Sequence, residues 1–88
     1  MIEAVVTIKN RAGMHTRPAS MIVKLAARYK SNFYIIKDNY QINGKSIIGI
    51  MSLAAEYGSQ LTLKFDGPDE EKASVEMIKY FEDGFGEP

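Results

Sequence analysis

The sequence predicts an α+β fold of four strands and three helices, in the order β-α-β-β-α-β-α, with an antiparallel sheet carrying the helices on one face. Three observations predict it. Four segments have the alternating or β-rich character of half-polar strands. Three segments between and after them carry apolar residues at helical spacing. Two of the strand segments are separated only by Asp38-Asn39, a connection that joins antiparallel neighbours. The second face of such a sheet is left open to water or a partner.

The elements follow in order. Ile2, Ala4, Val6 and Ile8 share one face at period two, and Asn10-Arg11-Ala12-Gly13 breaks the pattern as a loop. Ala19, Ile22, Val23, Ala26 and Ala27 recur at helical spacing, predicting a helix from Thr16 to about Tyr29. Pro18 fits only the first turn, where its missing N–H costs nothing, so the helix starts at His15 or Thr16. Phe33 to Lys37 and Tyr40 to Ile42 read as a hairpin around Asp38-Asn39, two residues that tolerate positive φ. Ser46 is a good N-cap for a short helix through Ile47, Ile50, Met51 and Leu53, with Gly58 as its expected stop. Leu61, Leu63 and Phe65 alternate with polar residues as a one-sided strand. After Gly67-Pro68-Asp69, the stripe Ala73, Met77, Ile78 and Phe81 predicts a last helix with an acidic first turn, stopped by Gly84.

The 88 residues suffice for one domain, spanning 1–88, around a single core. Without cysteine there is no disulfide, no thiolate catalysis and no cysteine-held metal, which suits a reducing cytoplasm. No apolar run approaches the ~20 residues of a membrane span, and the first ten residues lack the apolar core of a signal peptide. The expected location is therefore cytoplasmic. Zero net charge conceals an asymmetry: residues 1–45 carry +6 and residues 46–88 carry −6. A basic first half would steer an acidic partner towards a site there, unless folding mixes the halves into an even surface. A nucleic-acid-binding role is disfavoured, because the chain has no basic–aromatic signature and no net positive charge.

Chemistry concentrates in Gly13-Met14-His15-Thr16-Arg17-Pro18-Ala19, which holds the only histidine. An imidazole of ordinary pKa ~6.5 is roughly three-quarters neutral near pH 7 and offers one nucleophilic nitrogen. A helix N-terminus offers unsatisfied N–H groups and a positive dipole end to a phosphoryl group. The Arg17 guanidinium can hold phosphoryl oxygens in a fork. Gly13 allows a tight turn and keeps bulk away from the ring. The same residues also suit a plain polar helix start with a shaped turn. No acidic partner stands at ligand spacing, so no metal site is expected. No hydrolase elbow or nucleotide-binding loop pattern occurs.

The segment Gly13–Ala19 resembles the active-site signature G-[aliphatic]-H-x-R-P-[AS] of the histidine-containing phosphocarrier (HPr) family of the phosphoenolpyruvate-dependent sugar phosphotransferase system. Asn43 to Leu53 resembles the family's second signature, around a regulatory serine. Met14, where Ile or Leu is common, and Thr16, where Ala is common, are mild departures that leave the chemistry intact.

The resemblance covers the whole chain and implies an open-faced sandwich. It also implies that His15 takes a phosphoryl group on Nδ1 from phosphorylated enzyme I and passes it to the A domain of a sugar-specific permease complex. The chain would then be a phosphoryl carrier rather than a stand-alone enzyme. Arg17 and the backbone N–H groups of Thr16 and Arg17 would steady the phosphate, with no cofactor or metal. Ser46 carries over as the site of a regulatory serine kinase/phosphorylase, its plain role being that of an N-cap. Lys24, Lys45, Ile47, Ile48 and Met51 are candidate contacts for these partners and for a transcriptional regulator, although aliphatic residues on a helix are more often core. The family norm is a monomer. Two alternatives share the resemblance: a paralogous carrier in a nitrogen-linked phosphotransferase chain, and a non-catalytic interaction module, against which the retained His15, Arg17 and Pro18 argue.

Overall fold

A computed structural model describes residues 1–88. Its strands are β1 (Ile2–Thr7), β2 (Asn32–Lys37), β3 (Tyr40–Asn43) and β4 (Gln60–Asp66). Its helices are α1 (Thr16–Ala27), α2 (Ile47–Ser52) and α3 (Glu70–Glu82), followed by a 3₁₀ turn at Gly84–Gly86. The sheet runs β1-β4-β2-β3 and is antiparallel throughout. The predicted element order and one-sided architecture are both found.

Alternation decides the two faces. Val6, Ile8, Phe33, Ile35, Ile42, Leu61, Leu63 and Phe65 are buried beneath Ala19 and Ile22 of α1, Ile50 of α2, and Ala73, Met77 and Phe81 of α3. Phe33 and Phe65 lie opposite each other in the register and stack with ring centroids 4.8 Å apart. The open face carries Val5, Thr62, Ile36 and Gln41 across one rung and Glu3, Lys64, Tyr34 and Asn43 across the next. The hairpin turns on Asp38 (φ 49°) and Asn39 (φ 68°), the two positive-φ positions of a type I′ turn. Gly44 follows β3 because a Cβ there would lie 2.2 Å from the Phe33 ring.

Two boundaries differ from the sequence reading. Helix α1 ends at Ala27, which is exposed, and Val23 and Ile78 are only half-buried. Helix α2 ends at Ser52, well short of Gly58, because Ala54 itself takes the left-handed conformation (φ 50°) behind the Leu53 C-cap. Leu53 and Ala55 are buried on either side and hold that turn in place.

Asp69 is the N-cap residue of α3, but its side chain makes no capping bond to its own helix. Its carboxylate instead accepts from the backbone N–H groups of Lys30 and Ser31 and from the Ser31 hydroxyl, fastening the entry of β2 to the start of α3. The hydroxyl and amide bonds lower its pKa from 3.8 to about 2. A lowered carboxyl stabilises the fold above the unfolded pKa and loses that contribution as pH falls through the folded value. In thermal melts across pH, Asp69→Asn should therefore be less stable than wild type at neutral pH. The gap should close between about pH 4 and pH 2; a gap that persists at pH 2 would contradict this origin.

Candidate functional site

Two loops build the site. The first runs from β1 to α1 and is folded by Gly13, whose φ of +74° and close approach to the Ala55 carbonyl leave no room for a Cβ. Met14 is buried, and its N–H donates to the Ala55 carbonyl at 3.0 Å. His15 is thus delivered to the N-cap position in extended conformation (φ −82°, ψ −171°). Its carbonyl accepts from Ala19 N–H at 3.0 Å, while its side chain makes no capping bond and remains free for other use. Pro18 is buried in the first turn, as its missing N–H allows. The N–H groups of Thr16 and Arg17 have no carbonyl partner.

The second loop comes from the far end of the chain. After α3, Gly84 and Phe85 take positive φ (62° and 58°) and turn the backbone back on itself. Phe85 is buried, edge-on to Phe81 at 4.9 Å and tilted against Tyr80 at 5.1 Å. Glu87 then faces His15: both carboxylate oxygens lie 3.0 Å from Nε2. Asn10 Nδ2 donates to Glu87 at 2.9 Å and to the Gly13 carbonyl at 2.8 Å, and Arg11 N–H donates to the main-chain oxygen of Pro88 at 2.9 Å. The Glu87 side chain is 10% exposed, against 40% for His15 and 76% for Arg17. The bond from His15, then that from Asn10, hold the Glu87 carboxyl below its usual range, against the opposing effect of burial. Arg17 Nε lies 4.0 Å from the same carboxylate.

The other predicted residues fall elsewhere. Ser46 caps α2, its Oγ accepting from Gly49 N–H at 3.1 Å. Lys45 is half-buried and donates to the Tyr29 carbonyl at 2.9 Å, so its ammonium is engaged at the end of α1. Lys24 is exposed two turns beyond Arg17. Ile48 is 80% exposed, and Ile47 and Met51 are also exposed, whereas their neighbour Ile50 is fully buried. The stripe splits between core and surface. No three His, Asp or Glu side chains stand close enough to hold a metal ion, and no helix is long and apolar enough to cross a membrane.

The sequence reading missed Glu87 and Asn10. Glu87 is 72 residues from His15, with no spacing signal to join them. Asn10 had the look of a loop breaker, yet it is fully buried.

Fold and site together describe an open-faced α+β sandwich with a solvent-reached histidine, flanked by arginine, at the mouth of its first helix. The family model described as "PTS HPr component phosphorylation site" matches residues 2–83. The phosphocarrier protein HPr of Treponema pallidum is 41% identical over 87 residues, 99% of each chain. The HPr-like protein Crh of Halalkalibacterium halodurans is 42% identical over 82 residues, 93% of this chain and 98% of that one. A crystal structure of HPr from Thermoanaerobacter tengcongensis superposes with a TM-score of 0.95 at 41% identity, covering 100% of this chain and 99% of the other. The chain belongs to the HPr family of phosphocarrier proteins of the phosphotransferase system.

Proposed function

We propose that His15 accepts a phosphoryl group from phosphorylated enzyme I and delivers it to the A domain of a sugar-specific permease complex. The observation that carries this reading is the half-exposed imidazole at the N-cap of α1, beside the unpartnered N–H groups of Thr16 and Arg17. Nε2 is engaged by Glu87, which leaves Nδ1 as the ring nitrogen without a partner. Nδ1 attacks phosphorus, and the donor's P–N bond breaks with its electron pair returning to the donor nitrogen. The phosphoryl oxygens then face two helix-end N–H groups and the exposed guanidinium of Arg17. These donors steady the phosphate without burying it, so a second protein can reach it.

Ser46 is the regulatory site in this reading. Its Oγ already sits at a helix start with no acidic residue in the first turn, where added negative charge is tolerated. Exposed Ile47, Ile48, Met51 and Lys24 form the docking contacts, together with the half-buried Lys45 that precedes Ser46 in the chain.

The test is incubation with enzyme I and labelled phosphoenolpyruvate. One acid-labile phosphate per chain should appear, with a phosphorus NMR signal of an Nδ1-phosphoimidazole; no label, or an acid-stable one, would defeat the proposal. With the serine kinase and ATP, wild type should gain an acid-stable phosphate that Ser46→Ala lacks.

A further inference from the structure

We infer that Glu87 is a positioning residue: its carboxylate holds the proton of neutral His15 on Nε2 and so keeps the electron pair of Nδ1 available to phosphorus. The use of this arrangement rests on the carrier reading above, whereas its geometry does not.

A carboxylate whose carboxyl is held below the usual range is ionised at neutral pH and can only accept. With both of its oxygens 3.0 Å from Nε2, the neutral ring must carry its proton there to make the bond. The opposite tautomer would set a nitrogen lone pair against two carboxylate oxygens.

The carboxylate is not free to swing away. Asn10 Nδ2 holds it at 2.9 Å, the Arg11–Pro88 backbone bond secures the residue beyond it, and Phe85 anchors the turn before it. Asn10 meets this arrangement at a cost, since its buried Oδ1 has no partner. Flipping the amide would place Oδ1 against the carboxylate, so its donors are committed to Glu87 and Gly13.

The proton balance of transfer then closes without a shuttle. The Nδ1 pair forms the bond to phosphorus, and the ring becomes a phosphoimidazolium that keeps its Nε2 proton. The positive charge so created faces the Glu87 carboxylate. When an acceptor nucleophile attacks phosphorus, the P–N bond breaks, its pair returns to Nδ1, and the neutral Nε2–H ring is restored. A ring protonated on Nδ1 has no pair to offer and must first move its proton.

Nitrogen-15 NMR of the labelled protein at about pH 8.5, above the ordinary imidazole range, reads the tautomer directly. The Nε2–H form should exceed the Nδ1–H form by about tenfold or more, as a hydrogen bond to a charged group implies. Glu87→Ala should lower that ratio by about threefold or more, whereas Glu87→Gln keeps one acceptor oxygen without the charge and should fall between wild type and Glu87→Ala. The initial rate of phosphate uptake from phosphorylated enzyme I should fall in the order of the ratios. Dominance of the Nδ1–H form in wild type overturns the inference even if Glu87→Ala fails to fold, and so does an unchanged ratio in a folded Glu87→Ala. If wild type shows the Nε2–H excess but takes up no phosphate, the carrier reading fails while the tautomer assignment stands. If phosphate is taken up with an unchanged ratio in Glu87→Ala, the reverse holds.

Discussion

His15→Ala should fold normally and take up no acid-labile phosphate from phosphorylated enzyme I. The chain has one histidine, so the substitution removes every imidazole nitrogen at once. The fold has little reason to notice. The capping of α1 by residue 15 uses its backbone carbonyl, bonded to Ala19 N–H, and the side chain makes no capping bond. Glu87 loses its ring partner but keeps Asn10. The melting temperature should therefore move by less than roughly 5 °C. Arg17→Ala is the graded companion to this null. The guanidinium is 76% exposed, so water screens its pull on a phosphoryl group. Its removal should slow transfer by about tenfold, short of the hundredfold or more typical of buried charge-stabilising donors. Arg17→Lys keeps the charge without the fork and should fall between. Full uptake by His15→Ala would move the phosphate elsewhere; an unaffected rate in Arg17→Ala would remove the guanidinium from the chemistry.

What the sequence made legible divides along a physical line. Alternation at β4 and the helical stripe of α1 are local records of a one-sided environment, and both predicted the buried residues correctly apart from Val23 and Ala27. Asp38-Asn39 and Ser46 were readable because a turn and a cap impose local chemistry that few residues satisfy. The end of α2 was not, because the expected glycine signal was replaced by Ala54 in a conformation that costs a non-glycine residue roughly 1–2 kcal/mol. Buried neighbours supply that energy, and they belong to tertiary packing. At the site, the His15 half was legible, since one stretch brings histidine, arginine and proline to a helix start. The Glu87 half was not, since it depends on how the chain turns after α3.

That turn depends on Phe85, and Phe85→Ala should be the most damaging change near the site. The ring is 5% exposed and packs on Phe81 and Tyr80, so truncating it should cost about 3–5 kcal/mol in denaturant unfolding, in the range for a buried aromatic. The backbone offers no compensation, because alanine at φ 58° remains in the left-handed region that the ring contacts now hold. Without that anchor the turn has less reason to persist, and Glu87 leaves Nε2. Phe85→Ala should then reproduce the tautomer change and slower phosphate uptake of Glu87→Ala while being far less stable than it. Phe85→Leu refills much of the space and should recover both stability and the tautomer ratio in part. A loss below about 1 kcal/mol would show that the ring contributes little to stability. A large loss with the wild-type tautomer ratio retained would show instead that Asn10 and the Arg11–Pro88 bond suffice to hold the carboxylate on the ring.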